Sequence, residues 1–383
     1  MMTDKKAGPL AGIRILELKG IGPGPYAGML LADLGAEVIV VERASKATGI
    51  GLPSAHDVHS RGKRSIALDL KNPAGRKLLF ELVATSDALI EGFRPGVAER
   101  LGCGPDDCWQ VNPGLVYGRV TGWGQSGPLA HTAGHDINYI GLTGALAAMG
   151  DKQKPALPLN LVGDYAGGSL FLVMGVLAAL LDAQKTGKGQ VVDAAITDGV
   201  ASMMSLFSSF NALGLWKPER AANLLDGAAH FYDTYETADG KFMAVGPIEP
   251  QFYQQFLAVL AIDDPSLQSQ QPADWAVNKH QLKQIFLRRT QAEWTQAFEG
   301  TDACVTPVLD MAEAAVHPHN HARCAYVEAG GINQPGVAPK FSGHQIYVSG
   351  SRPSEGADTR ALMASLGYDE AAIDQLFADR ILT

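Results

Sequence analysis

Two short segments hold the residue types that acid–base chemistry needs. Gly134-His135-Asp136-Ile137-Asn138-Tyr139 is followed a short stretch later by Asn160-Leu161-Val162-Gly163-Asp164-Tyr165-Ala166-Gly167-Gly168. Each sets a titratable side chain among glycines, where backbone can approach a ligand closely. An imidazole and a carboxylate can each take a proton in one direction and return it in the other. Such a pair suits removal of a proton from one face of a carbon and delivery to the opposite face. Taken singly, the residues are ambiguous. A histidine beside glycine is often structural, and Asp164 could cap the long helix expected just after it. His317-Pro318-His319-Asn320-His321 looks like a metal tract, but no cysteine or carboxylate pattern completes it. No metal site is therefore expected, and Cys304 reads as a packed thiol rather than a nucleophile.

The elements that must carry these residues alternate. Strands are expected at Ile13–Leu18, Glu37–Glu42, Ala88–Ile90, Leu115–Val120 and Val191–Ile196, with helices from Pro25 to Leu34, after Asn72-Pro73, and from Gly168 to Gln184. That alternation is the signature of a parallel α/β sheet. Further along, Phe231–Tyr235 and Phe242–Val245 flank Ala238-Asp239-Gly240 as a hairpin. Helical patterns then run to Val316, and two short helices close the chain around Gly367. The partition expected is a large Rossmann-like domain over 1–200, a linker over 201–224, and a small α+β domain over 225–325. Residues 326–383 return to complete the large domain. Met203, Phe207 and Phe210 share one face of a helix expected after Asp198, a stripe more typical of core than of a substrate pocket.

The 383 residues carry a formal net charge of −9, which argues against a nucleic-acid partner. No apolar run in the sequence reaches the ~18 residues of a membrane span; the nearest is Leu170–Leu181. Met1–Lys6 lacks the apolar core of a secretion signal. Four cysteines without framework spacing suggest a reducing, cytoplasmic setting. The cations that stand out are local: Arg61-Gly62-Lys63-Arg64, with Arg43, Lys71, Arg94 and Arg100 nearby in sequence. An acidic protein with a cationic pocket suits a phosphorylated small molecule. Gly22-Pro23-Gly24-Pro25-Tyr26-Ala27 mimics a dinucleotide fingerprint. Pro23 and Pro25 have no N–H to offer a pyrophosphate, so no nicotinamide site is expected.

From Pro9-Leu10-Ala11-Gly12 to the closing helices, the chain resembles the α-methylacyl-CoA racemases of the family III CoA-transferase superfamily. The resemblance implies a Rossmann-like large domain, a smaller α+β domain and an interlocked homodimer. It implies that His135 and Asp164 face each other across the α-carbon of a 2-methylacyl-CoA thioester and interconvert its epimers through an enolate. Glu249, in Gly246-Pro247-Ile248-Glu249-Pro250, corresponds to the residue that orients or charges the histidine, from its own or the partner subunit. Tyr139 and Asn160 are expected to hydrogen-bond near Asp164 or the thioester, and Asp136 to polarise a backbone amide or bind the ligand. CoA binding is assigned to Arg43, Leu68, Asp69, Leu70, Lys71, Gly92, Phe93, Arg94 and Arg100, with Gly134, Ile137 and Asn138 beside the base. CoA is part of the substrate, and no other cofactor is implied. The alternative within the superfamily is a CoA-transferase with Asp164 as nucleophile. The preferred acyl chain is not legible.

Overall fold

The computed structural model describes residues 8–43, 52–262 and 264–383. The expectation drawn from Met1–Lys6 lies outside the described residues. The chain forms two compact units. One comprises the residues up to 143, 158–203 and 318–383; the other comprises 144–157 and 204–317. Residues 144–157, expected within the first domain, thus group with the second, as do 204–224 of the expected linker, whereas 318–325, expected in the small domain, group with the first.

The first unit is built on a six-stranded sheet: β1 (Arg14–Leu18), β2 (Glu37–Arg43), β3 (Arg64–Leu68), β4 (Ala88–Glu91), β5 (Val116–Thr121) and β6 (Val191–Ala195). Its order is β3-β2-β1-β4-β5-β6, and every pairing is parallel. Successive side chains supply opposite faces, as a sheet covered on both sides requires. Leu16, Ile39 and Ile66 enter one buried cluster, whereas Ile15, Val38 and Ile90 enter the other. The direction of winding reverses beside β1, which pairs with β2 on one side and β4 on the other. In open α/β sheets, ligands bind at the carboxyl ends of the strands at such a point.

Five of the six strands match the expected positions. β3 is not among the expected strands because the run that leads into it, Arg61-Gly62-Lys63-Arg64, reads as a cationic patch, and the structure gives the charges of Arg61 and Lys63 another purpose. Arg61 is buried and forks onto Asp33, with Nη2 to Oδ2 at 2.5 Å, while its Nη1 donates to the Pro335 carbonyl. Lys63 is equally buried and donates to Glu17 at 2.6 Å and to the Pro25 carbonyl at 2.9 Å. Buried charges persist when paired and hydrogen-bonded. Both side chains therefore anchor helix α1 (Pro23–Asp33) to the sheet and are not open to a phosphate.

The return segment closes the unit. Asp358 accepts from the Ser65 amide at 2.9 Å, and the Asp69 amide donates to the Ile381 carbonyl. In the second unit, β7 (Asp233–Glu236), β8 (Phe242–Val245) and β9 (Val305–Val308) form an antiparallel sheet over a core rich in aromatic side chains. Cys304, expected to be packed, is exposed there in a left-handed conformation at φ 51°.

Among the described residues, one helix is long and apolar enough to cross a membrane by length and composition, Leu161–Thr186. It was not visible as such in the sequence because the expected helix began only at Gly168. Its inner residues Leu172, Val176 and Leu180 pack into the cluster that covers the sheet.

Candidate active site

Asp164 lies inside a helix and not before one. Leu161–Leu170 is a ten-residue π-helix that runs directly into helix α2 (Phe171–Thr186). Extended π-helix is rare and marks functional sites. Its glycines, expected to let backbone approach a ligand, allow close approach of the chain itself. A Cβ on Gly163 would meet Asp136 Oδ1 at 2.2 Å, and one on Gly167 would meet Val200 Cγ2 at 2.5 Å. Gly199, on helix α3 (Ile196–Met203), abuts the Gly167 carbonyl, where a Cβ would come within 2.0 Å. The Ser169 hydroxyl is buried between the carbonyls of Pro23 and Asp164, at 2.8 and 3.1 Å.

His135 is the N-cap of a short helix, Asp136–Leu142, and its amide donates to Asn138 Oδ1 at 3.0 Å. Its ring is exposed. The next residue, Asp136, reaches the π-helix: its Oδ1 accepts from the Asp164 amide at 2.6 Å, and it also accepts from the Gly163 amide. A single carboxylate thus ties the histidine segment to the aspartate backbone.

Tyr139 is held rather than free. Its hydroxyl donates to the Gly134 carbonyl, and its ring packs edge-on to Trp123 at 4.8 Å. Gly122 and Gly134 leave room for that ring, since a Cβ on either would fall within 2.6 Å of it. Through this internal bond Tyr139 braces the backbone carrying His135.

The electrostatics suit proton exchange. Asp164 is half-buried, and burial pushes its carboxyl above the usual range, with the Asp136 charge adding to the rise. Asn160 Nδ2, at 3.4 Å from Oδ2, and the nearby His135 pull it back. Asp136 is also raised by burial, against the two amides it accepts. Burial raises Tyr139 as well; Asp164 and Asp136 act in the same direction and Arg94 in the opposite one. The tyrosine therefore senses both carboxylates and the Arg94 guanidinium. Gly22, the N-cap of α1, faces Asp164 directly: a Cβ there would lie 3.5 Å from Oδ2.

The cationic residues expected at a CoA site follow the carboxyl ends of three strands. Arg43 ends β2, Lys71 follows β3, and Arg94 and Arg100 follow β4; all four are exposed. Glu91 Oε2 accepts from the Phe93 amide at 2.5 Å, which orders the turn of Gly92, Phe93 and Arg94. Asp69 caps the Lys71 amide at 3.0 Å. The Leu68 side chain is 1% exposed and part of the core, which leaves its backbone to serve a ligand. Leu70 packs against the same core. Ile137 and Asn138 are exposed on the turn after His135.

Glu249 belongs to the second unit, exposed at the N-cap of helix α4 (Pro250–Leu260). Met203 and Phe207 do not share one helix, because the helix is interrupted at Met204 between Ile196–Met203 and Ser205–Ala212. Among the described residues, no group of three or more histidine, cysteine or acidic side chains is placed to hold a metal.

The chain is 44% identical over 377 residues to an α-methylacyl-CoA racemase of Mus musculus, covering 97% of each protein. It is 43% identical over 379 residues to the α-methylacyl-CoA racemase of Homo sapiens, again covering 97% of each. In fold it is like a solved CAIB/BAIF family protein from Brucella suis, at a TM-score of 0.80 and 24% identity, over 94% of this chain and all of that one. Residues 10–359 match the family described as CoA-transferase family III, and the chain belongs to that family.

Proposed function

We propose that the protein is an α-methylacyl-CoA racemase that interconverts the (2R) and (2S) epimers of 2-methylacyl-CoA thioesters. The observation that carries this reading is the Asp136 link. It joins the segment of a histidine to the backbone of a carboxylate whose proton affinity is raised, at the switch point of the sheet. The near full-length similarity to two racemases supports the same conclusion.

In this mechanism one of His135 and Asp164 takes the α-proton, the thioester carbonyl becomes an enolate oxygen, and the other group delivers a proton to the opposite face. Raised proton affinity lets Asp164 serve as an acid without ceasing to be a base. Arg43, Lys71, Arg94 and Arg100 hold the phosphates, where the planar fork of arginine binds bidentately. No cofactor beyond the CoA of the substrate takes part.

The protein acts as a homodimer in the cytoplasm. Leu170, Met174 and Leu181, at spacings of four and seven, are about half exposed or more along the longest helix. Such an apolar stripe suits a second copy of the chain. The described cysteines are all free, as a reducing compartment would have them.

The test is incubation with one epimer of a 2-methylacyl-CoA in deuterated water without an acceptor acid. Deuterium at the α-carbon together with the other epimer is expected. CoA transfer to an added carboxylate, with neither exchange nor inversion, would overturn the reading and make Asp164 a nucleophile.

A further inference from the structure

Beside Asp164 lies a group of three rings that the proton chemistry does not use. Tyr26, in the first turns of α1, packs against Tyr165 with ring centroids 4.5 Å apart. His59 stands 5.7 Å from Tyr26 and 5.8 Å from Tyr165, edge-on to the latter. All three are partly exposed. Their position relative to the carboxylate follows from the helix. Gly22 faces Asp164 Oδ2, and Tyr26 is four residues further on, which is one turn or about 5–6 Å along α1. Tyr165 is the next residue after Asp164. The rings thus extend the surface on which Asp164 sits, and the exposed Ile21 lies at its edge.

The charges around this surface are cancelled. Lys19 pairs with Glu42 at 3.0 Å, Lys63 with Glu17, and Arg61 with Asp33. Asp57 accepts from the His59 amide at 3.1 Å. Burial, with Lys63, Arg61 and Lys19 nearby, holds the His59 imidazole below its ordinary range and so neutral near pH 7, against the pull of Asp57. Among the described residues, a phosphate finds no spare cation here, whereas Arg43, Lys71, Arg94 and Arg100 are exposed at the strand ends. An α-carbon within proton-transfer reach of Asp164 must send its thioester arm toward those cations. That leaves the acyl arm for the uncharged rings.

We infer that Tyr26, His59 and Tyr165 form the wall against which the acyl chain of the thioester lies, and that they set chain selectivity. This rests on the racemase reading and deepens it. The experiment measures kcat/KM for α-deuterium exchange with 2-methyldecanoyl-CoA and with 2-methylbutanoyl-CoA. The variants are Tyr26→Ala, His59→Ala and the ring-preserving Tyr26→Phe. The decanoyl-to-butanoyl ratio should fall about tenfold in each alanine variant, the scale of lost methylene contacts in a hydrophobic site. It should be kept in Tyr26→Phe. A purely structural role would lower both substrates alike; an unchanged ratio in the alanine variants overturns the inference and leaves the racemase reading standing. If the unaltered protein exchanges neither substrate, the racemase reading fails and takes this inference with it.

Discussion

Asp136 differs from its two neighbours in the site because it acts by position. It accepts from the Asp164 amide and raises the proton affinity of the Asp164 carboxyl by like charge. In Asp136→Asn that like charge is gone. The Asp164 pKa should drop toward its ordinary value, moving the acid limb of the pH–rate profile to lower pH, while exchange slows about tenfold or more as the backbone link weakens. A limb that stays in place would separate Asp136 from the titration. Asp164→Asn should lower exchange about a hundredfold or more without unfolding the protein, as followed by deuterium incorporation and circular dichroism. The residue types of the site were legible because imidazole and carboxylate are recognisable wherever they stand. Their tether was not. Asp136 next to His135 reads as a group that polarises a backbone amide or binds the ligand, and only the folded chain shows which amide it takes, 28 residues away.

At the scale of elements, the legibility of the chain followed the source of each signal. β1, β2, β4, β5 and β6 declare themselves as apolar runs between turn residues. β3 is preceded by Arg61, Gly62 and Lys63, so its onset reads as a charged loop until Asp33 and Glu17 are seen to neutralise it. The π-helix was illegible for a related reason. Gly163, Gly167 and Gly168 weaken a helical pattern locally, and the compensation comes from the close approach of distant Ile196, Gly199 and Val200. Gly199→Ala should therefore cost about 1–3 kcal/mol of stability in chemical denaturation, because its methyl would strike the Gly167 carbonyl. It should also reduce exchange, since the displaced backbone carries Asp164. A normal unfolding midpoint would show that the two helices can separate at little cost.

Across the whole molecule, stability and assembly depend on groups outside the chemistry. His230 is fully buried in the second unit, with Nε2 2.8 Å from the Tyr253 hydroxyl, which itself donates to the Leu267 carbonyl. Nε2 must therefore carry the proton and donate, leaving Nδ1 without a partner. Burial, reinforced by the Lys279 charge, pushes the imidazole down to about 4. The unfolded chain, with an ordinary imidazole near 6.5, binds the extra proton first. The stabilisation is complete above that value and is lost as pH falls from about 6.5 toward 4, a change on the order of 3 kcal/mol. Denaturation midpoints of the unaltered protein should drop more steeply over that interval than those of His230→Gln. Assembly should respond to the exposed stripe instead. Met174→Glu places a charge among Leu170 and Leu181, and sedimentation should then show the proposed homodimer shifted toward monomer; an unaffected dimer would locate the interface elsewhere.

The π-helix changes which residues are neighbours. In an ordinary helix, the side chains stacked one turn apart are three or four positions distant. Between Leu161 and Leu170 the backbone closes its turns five residues apart. The residue paired with Asp164 is accordingly Ser169, whose hydroxyl reaches the Asp164 carbonyl, and not Gly168. A helical wheel drawn for this stretch assigns the wrong companions. Substitutions that compensate one another here should fall at a spacing of five, and deleting one residue from the segment would restore the ordinary spacing while turning Asp164 away from Gly22.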